Sequence, residues 1–69
     1  MTDTALLREI IERSGFKIRY IAEVCGLTYN GLLNKINGKT EFTTQEIITM
    51  TDLLRISPTE AKTVFFADL

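Results

Sequence analysis

The sequence predicts an all-α fold: one compact domain of five short helices, covering residues 1–69. Three observations support this prediction. Apolar residues recur at spacings of three and four throughout, and no segment shows the strict alternation of a half-buried strand. Hydrophobic residues make up 45% of the chain, which is well above the content of disordered segments. Capping residues and glycines divide the chain into segments of helical length.

The first two helices are each followed by a glycine. Helix 1 is predicted from about Thr4 to Ser14, with Gly15 as its stop. Its inward residues are Leu6, Leu7, Ile10 and Ile11. Helix 2 is predicted from about Lys17 to Val24 and ends at Gly26, with Phe16 packing at its entry. It is expected to bury Ile18, Ile21 and Ala22.

The remaining three helices begin at hydroxyl residues that are good N-caps. Helix 3 follows Thr28 and ends near Asn37 and Gly38. Thr43 with Glu46, and Ser57 with Glu60, have the spacing of a capping box, and Pro58 suits the first position of helix 5. The apolar residues of helix 4 are Ile47, Ile48, Met50, Leu53 and Leu54, and those of helix 5 are Ala61, Val64, Phe65 and Phe66. Adjacent Phe65 and Phe66 cannot both face inward, so one is expected at the surface.

Composition excludes several classes of function. No apolar run approaches the roughly 18 residues of a membrane span, and the charged N-terminal segment is unlike a signal peptide. With one cysteine, Cys25, no internal disulfide is possible, so we expect a cytoplasmic protein in which Cys25 is a small buried hydrophobe. The chain has no histidine, glycine-rich phosphate loop or cysteine cluster. We therefore expect no enzyme activity, metal, cofactor or small-molecule substrate.

Charge is distributed unevenly along the chain. The formal net charge is −1, but residues 13–39 contain five basic residues and one acid, a net charge of +4. The flanking segments contain three basic and eight acidic residues, a net charge of −5. A basic segment between acidic flanks indicates a local anion-binding surface with low non-specific affinity.

The segment from residue 17 to residue 37 has the spacing of a helix-turn-helix. The connection Cys25–Leu27 is too short for any arrangement other than a steep crossing of helices 2 and 3. Leu32 and Ile36 form the inward stripe of helix 3, while Asn30 and Asn34 share another face. Asparagine amides bond bidentately to the major-groove edge of adenine, so this face is a candidate reading surface for double-stranded DNA.

The run "YIAEVCGLTYNGLLNKINGK" resembles the helix-turn-helix of the Cro and lambda-repressor class of phage DNA-binding domains. The positions that fit its motif are Ala22, Gly26, Leu27, Thr28, Leu32, Asn37, Gly38 and Lys39, and "ITMTDLLRIS" resembles its fourth helix. The resemblance covers nearly the whole chain and implies a lambda-repressor-like DNA-binding fold. It implies base reading by Tyr29, Asn30 and Asn34. Phosphate contacts are expected from Thr28, Asn37 and Lys39 by resemblance, and from Lys17, Arg19 and Lys35 by their place in the basic segment.

Four residues depart from the pattern of that class. Ile18 stands where a glutamine that grips phosphate is frequent, and Lys35 stands where a large apolar residue is common. Lys35 is therefore expected to reach a phosphate while Ile36 takes the core position. Leu33 falls where a residue can face DNA or stay partly buried, and Glu41 follows helix 3 where it would repel a phosphate backbone.

Two functions remain open at this point. The first is a sequence-specific transcription regulator of phage or prophage type that binds operator DNA as a homodimer. Two routes to this homodimer stay open, namely pairing before binding and pairing only on DNA. Its dimer surface is expected at helix 5 and the end of helix 4, with Arg55, Phe66 and Leu69. The second is a protein-interaction module, of antirepressor or antitoxin type, that retains the helix-turn-helix fold.

Overall fold

A computed structural model describes residues 1–68, which form five α-helices and no strand. The helices are α1 (Thr4–Ser14), α2 (Ile18–Cys25), α3 (Tyr29–Ile36), α4 (Thr44–Leu53) and α5 (Pro58–Phe65). They pack into a body of 28 × 23 × 21 Å, so the prediction of a compact all-α domain is confirmed. Leu69, expected at a dimer surface, lies outside the described residues.

Side-chain oxygens cap four of the five helices. The hydroxyl groups of Thr28, Thr43 and Ser57 accept bonds from backbone N–H groups three residues later, as predicted. Asp3 caps α1 in the same way, which the sequence reading missed. Local capping chemistry therefore fixes where most of these helices begin.

The two predicted capping boxes differ. The box at α4 is complete, since the Glu46 carboxylate also accepts from the Thr43 N–H at 2.9 Å. At α5 the Ser57 hydroxyl accepts from the Glu60 N–H at 3.1 Å, but among residues 1–68 the return bond to Ser57 is not formed. The Glu60 side chain instead lines a cleft with Arg13, so the prediction of a second capping box was wrong.

The core collects the inward residues of all five helices together with three residues from connecting segments. Its buried members are Leu7, Ile10, Ile11, Ile21, Ala22, Leu32, Ile36, Phe42, Met50, Leu54, Ile56, Val64 and Phe65. Phe42 precedes α4 and packs edge-to-face on Phe65, with ring centroids 5.4 Å apart. Phe66 is exposed while Phe65 is buried, which confirms that only one of the pair faces inward.

The connection between α2 and α3 runs through Gly26, Leu27 and Thr28. Gly26 has a φ of 71°, which glycine adopts without steric cost, and the Leu27 N–H donates to the Ala22 carbonyl at 2.8 Å. Leu27 packs half-buried against the core. In this way α2 lies against both α3 and α4. None of the helices in the described part of the chain is long and apolar enough to cross a membrane.

Candidate nucleic-acid interface

Helix α3 has one buried stripe and one polar exposed side. Leu32 and Ile36 are fully buried, and they hold the helix against α1 and α2. Asn30 and Asn34, one helical turn apart, are both exposed, and Tyr29 beside them is 41% exposed. All three residues expected to read bases are therefore accessible to a macromolecule approaching α3.

The start of α3 is packed tightly around its cap. The Thr28 hydroxyl accepts from the Gly31 N–H at 2.9 Å, and it retains its own proton for donation outward. A Cβ added at Gly31 would meet that hydroxyl oxygen at 2.9 Å, which explains why glycine occupies the first turn of this helix. Thr28 therefore lies at the exposed N-terminus of α3 with its geometry fixed.

Arg19 and Tyr29 connect the exposed sides of α2 and α3. The guanidinium carbon of Arg19 lies 5.2 Å from the centroid of the Tyr29 ring, a cation–π contact between two exposed residues. A guanidinium held by its face keeps its N–H donors free at the edge, which is the part that binds phosphate. The contact thus orients a cation next to the Asn30 and Asn34 face.

The other residues expected at phosphates lie at the start of α2 and at the end of α3. Lys17 precedes α2, at a helix start with no side-chain cap, and it is exposed. Asn37 ends α3, Lys39 follows after Gly38, and all three are exposed. Exposed cations therefore lie near the start of α3, with Arg19 on Tyr29, and after its end, with Lys39 bonded through its N–H to the Asn34 carbonyl.

Lys35 does not belong to this surface, contrary to the sequence-based expectation. Its ammonium lies 2.7 Å from a Glu46 carboxylate oxygen and donates to the Glu41 carbonyl at 3.0 Å. The Lys35 and Glu46 side chains are only 14% and 13% exposed, and the Lys35 ammonium lies 6.0 Å from the centre of the Phe42 ring. Because its charge is already paired inside the protein, we remove Lys35 from the residues expected to contact phosphate.

The same ion pair controls the titration of Glu46. Burial acts to raise the pKa of this carboxyl. Hydrogen bonds from Lys35 and Thr43, together with the Lys35 charge, outweigh burial, and the pKa is lowered below its ordinary value. Glu46 therefore stays ionised at neutral pH and keeps the Lys35 ammonium in place.

The remaining departures from the repressor pattern have simple placements. Ile18 packs against the core as a partly buried residue, so its position supplies no polar group to this surface. Leu33 is half-buried on α3, and the Glu41 side chain is exposed in the segment before α4. Glu41 and the exposed Glu23 are the acids of the segments next to α3, and they reduce the net positive charge of this region.

The sequence reading missed both contacts that organise this region. Lys35 and Glu46 are eleven residues apart and lie on different helices, while Arg19 and Tyr29 are ten apart across the turn. Neither spacing matches a periodic pattern on one helix. Lys35 lies three residues after the core residue Leu32 and directly before the core residue Ile36, and this position gives no local signal of its partner.

Cys25 and the potential metal ligands are other groups of residues 1–68 that could carry chemistry. Burial raises the pKa of the Cys25 thiol, and the nearby Glu46 carboxylate raises it further, so Cys25 stays protonated at neutral pH. No group of three or more metal-ligating side chains occurs among these residues. Comparison with protein-family models, with curated proteins and with solved structures finds no match to this chain.

Proposed function

We propose that the protein is a sequence-specific DNA-binding regulator that inserts α3 into the major groove. The observation that carries this proposal is the pair of exposed amides, Asn30 and Asn34, on the side of α3 opposite its buried stripe. The adjacent α2 and α3 then act as a helix-turn-helix of the lambda-repressor type, with α3 as the recognition helix. Asparagine at both positions favours a site containing adenine at two nearby base pairs.

Phosphate contacts come from exposed groups around these amides. Arg19, held on the Tyr29 ring, and Lys17 lie on the α2 side, while Lys39 and Asn37 follow the C-terminal end of α3. Thr28 adds a hydroxyl donor at the start of the helix. Such contacts fix the register of the protein on the duplex, and the amides supply the discrimination.

Selection of bound sequences from a random duplex library, followed by fluorescence anisotropy on the enriched duplex, tests the proposal. Asn30→Ala and Asn34→Ala should each weaken binding to the enriched duplex by about 1–3 kcal/mol and relax preference at one base pair. Their binding to a scrambled duplex should be unchanged. Gln45→Ala, which removes an exposed amide from α4, is the matched control and should bind the enriched duplex like the parent.

Two results would refute this assignment. If no sequence is enriched and the protein ignores duplex DNA at low salt, DNA binding is not its function. If sequences are enriched but both Asn30 and Asn34 variants bind like the parent, α3 is not the reading element.

The exposed apolar residues Ile48 and Phe16 favour a second function, a protein-interaction module of antirepressor type. This module would recognise another protein while its α3 face stays free. It requires stable binding to a different polypeptide in the absence of DNA, whereas the regulator requires enrichment of a duplex sequence. The two functions are therefore separated by the same selection experiment.

A further inference from the structure

A small cleft lies where α1, the start of α2 and the end of α3 meet. Its volume is about 370 Å³, which is at the low end of the range of about 300–1,000 Å³ that is usual for ligand pockets. Six residues line it: Arg8, Ile11, Glu12, Phe16, Ile18 and Ile36. None of them is among the residues proposed to contact DNA, so the cleft is separate from that surface.

The wall of the cleft is apolar and comes from separate parts of the fold. Ile11 belongs to α1, Ile18 is the first residue of α2, and Ile36 is the last residue of α3. Phe16, in the connection before α2, lies beside this wall and is 38% exposed. Apolar surface that stays in water next to an apolar wall favours a ligand with an apolar group.

Two opposite charges line the same cleft. Arg8 and Glu12 are one helical turn apart on α1, and both are exposed. Within residues 1–68 they form no ion pair with each other or with another residue. A base placed four residues before an acid is the less favourable order for a pair on a helix, because the helix dipole favours the acid nearer the N-terminus. Both charges therefore remain free to pair with a ligand.

We propose that this cleft binds a free α-amino acid with an apolar side chain. The ligand carboxylate pairs with the Arg8 guanidinium, the ligand ammonium pairs with the Glu12 carboxylate, and the ligand side chain packs on the apolar wall. Cβ atoms at this helical spacing are about 5–6 Å apart, so the two charged groups of one amino acid reach both side chains. The ligand is bound and not converted, so the expectation of no enzyme activity is unaffected. The site goes beyond the proposed DNA-binding function and does not depend on it.

The larger groove beside α4 has similar chemistry and is the competing location. Its volume is about 1000 Å³, and its lining includes the exposed Asp52 and Arg55 together with the apolar residues Ile47 and Ile56. Because this groove is large and open, an amino acid of about nine heavy atoms would leave most of its surface in water there, whereas ligand sites bury about 70–90% of the ligand. We therefore assign the ligand to the smaller cleft, and Asp52 and Arg55 supply matched control variants.

Amide NMR spectra of the isotope-labelled protein, recorded during titration with leucine, test the proposal. Leucine should give saturable shifts at Ile11, Ile18 and Ile36, with a Kd of about 1–10 mM for a ligand of so few atoms. Three related compounds each lack one feature: glycine lacks the apolar side chain, leucinamide lacks the carboxylate, and N-acetylleucine lacks the ammonium. Each should bind about tenfold more weakly or worse, because each loses one of the three contacts.

Substitutions in the two locations identify which one holds the ligand. Arg8→Met and Glu12→Gln each remove one charge from the cleft, and each should weaken leucine binding about tenfold. Asp52→Asn and Arg55→Met remove the corresponding charges from the groove beside α4, and leucine binding should stay within about twofold of the parent. All four residues are exposed, so the variants should keep the dispersed amide spectrum of the folded parent.

The proposal is overturned if leucine gives no saturable shifts up to about 50 mM, if glycine binds as well as leucine, or if Arg8→Met and Glu12→Gln bind leucine like the parent. Saturable shifts at Ile47 and Ile56 that are lost in the two control variants would place the ligand beside α4 and would equally overturn it. The titration contains no DNA. Its failure therefore leaves the proposed regulator standing, and a failed DNA selection leaves this site standing.

Discussion

The ion pair between Lys35 and Glu46 gives a prediction whose size follows from the structure. Lys35→Met keeps the length and apolar stem of the side chain but removes the ammonium, and with it the bonds of 2.7 Å to Glu46 and 3.0 Å to the Glu41 carbonyl. Exposed pairs contribute about 0–1 kcal/mol, and breaking a fully buried pair costs about 3–5 kcal/mol. With the two side chains 14% and 13% exposed, this pair lies between those limits.

We expect Lys35→Met to lower the free energy of unfolding by about 2 kcal/mol at pH 7. Glu46 retains its bond from the Thr43 N–H at 2.9 Å, which keeps the loss below that of an unpaired buried charge. In a domain of this size the change corresponds to a fall in Tm of roughly 8–16 °C. Thermal and urea denaturation followed by circular dichroism measure both quantities.

Acidification provides an internal control. The pKa of Glu46 is lowered in the folded protein. The ionised Glu46 side chain therefore contributes its full stabilisation at any pH above the ordinary carboxyl pKa of about 4.5. This stabilisation is lost as the pH falls through the lower pKa of the folded protein. The stability difference between the parent and Lys35→Met should therefore narrow below about pH 4. Equal stability of the two proteins at pH 7, or a difference that persists unchanged in acid, would refute the reasoning.

Three further predictions concern binding and local packing. Lys39→Met should weaken binding to cognate and scrambled DNA equally, and it should reduce the slope of log affinity against log salt concentration by about 0.9. Lys35→Met should leave this slope unchanged. Equal slopes for the two variants would show that the Lys35–Glu46 pair opens on DNA. Thr51→Val should stabilise the fold by about 1 kcal/mol, measured by urea denaturation. Among residues 1–68 the Thr51 hydroxyl is the one buried side-chain polar group without a hydrogen-bond partner. A destabilised variant would show that this hydroxyl does have a partner. Arg55→Gly should raise the Tm of dilute protein, because glycine relieves about 1 kcal/mol of backbone strain at a φ of 55°. An unchanged or lower Tm would mean that the Arg55 side chain itself stabilises the fold.

Helix positions were predictable from the sequence because they depend on residues close together in the chain. Thr28 and Thr43 each act on a backbone N–H three residues later, and Gly26 ends α2 through its own conformation. The predicted bounds of helix 1, Thr4 to Ser14, match the structure. Local rules of capping and periodicity thus suffice for the elements themselves.

The parts that were not predicted depend on how the elements pack. Phe42 and Ile56 lie outside the helices, yet both are buried, because the segments before α4 and after it cross the core. Ile48 sits in an apolar run but stays exposed, since α4 turns its neighbour Ile47 toward the core. The same limitation explains Lys35, whose charge predicts a phosphate contact although the fold pairs it with Glu46.

One oxygen atom of Glu46 accepts from both the Thr43 N–H and the Lys35 ammonium. The Glu46 side chain therefore links the first turn of α4 to the last turn of α3. Amide hydrogen exchange should reflect this: the α4 N-terminus, although solvent-exposed, should exchange with the same opening free energy as the end of α3. The two helices would then open as one cooperative unit, with the segment between them ordered from both sides.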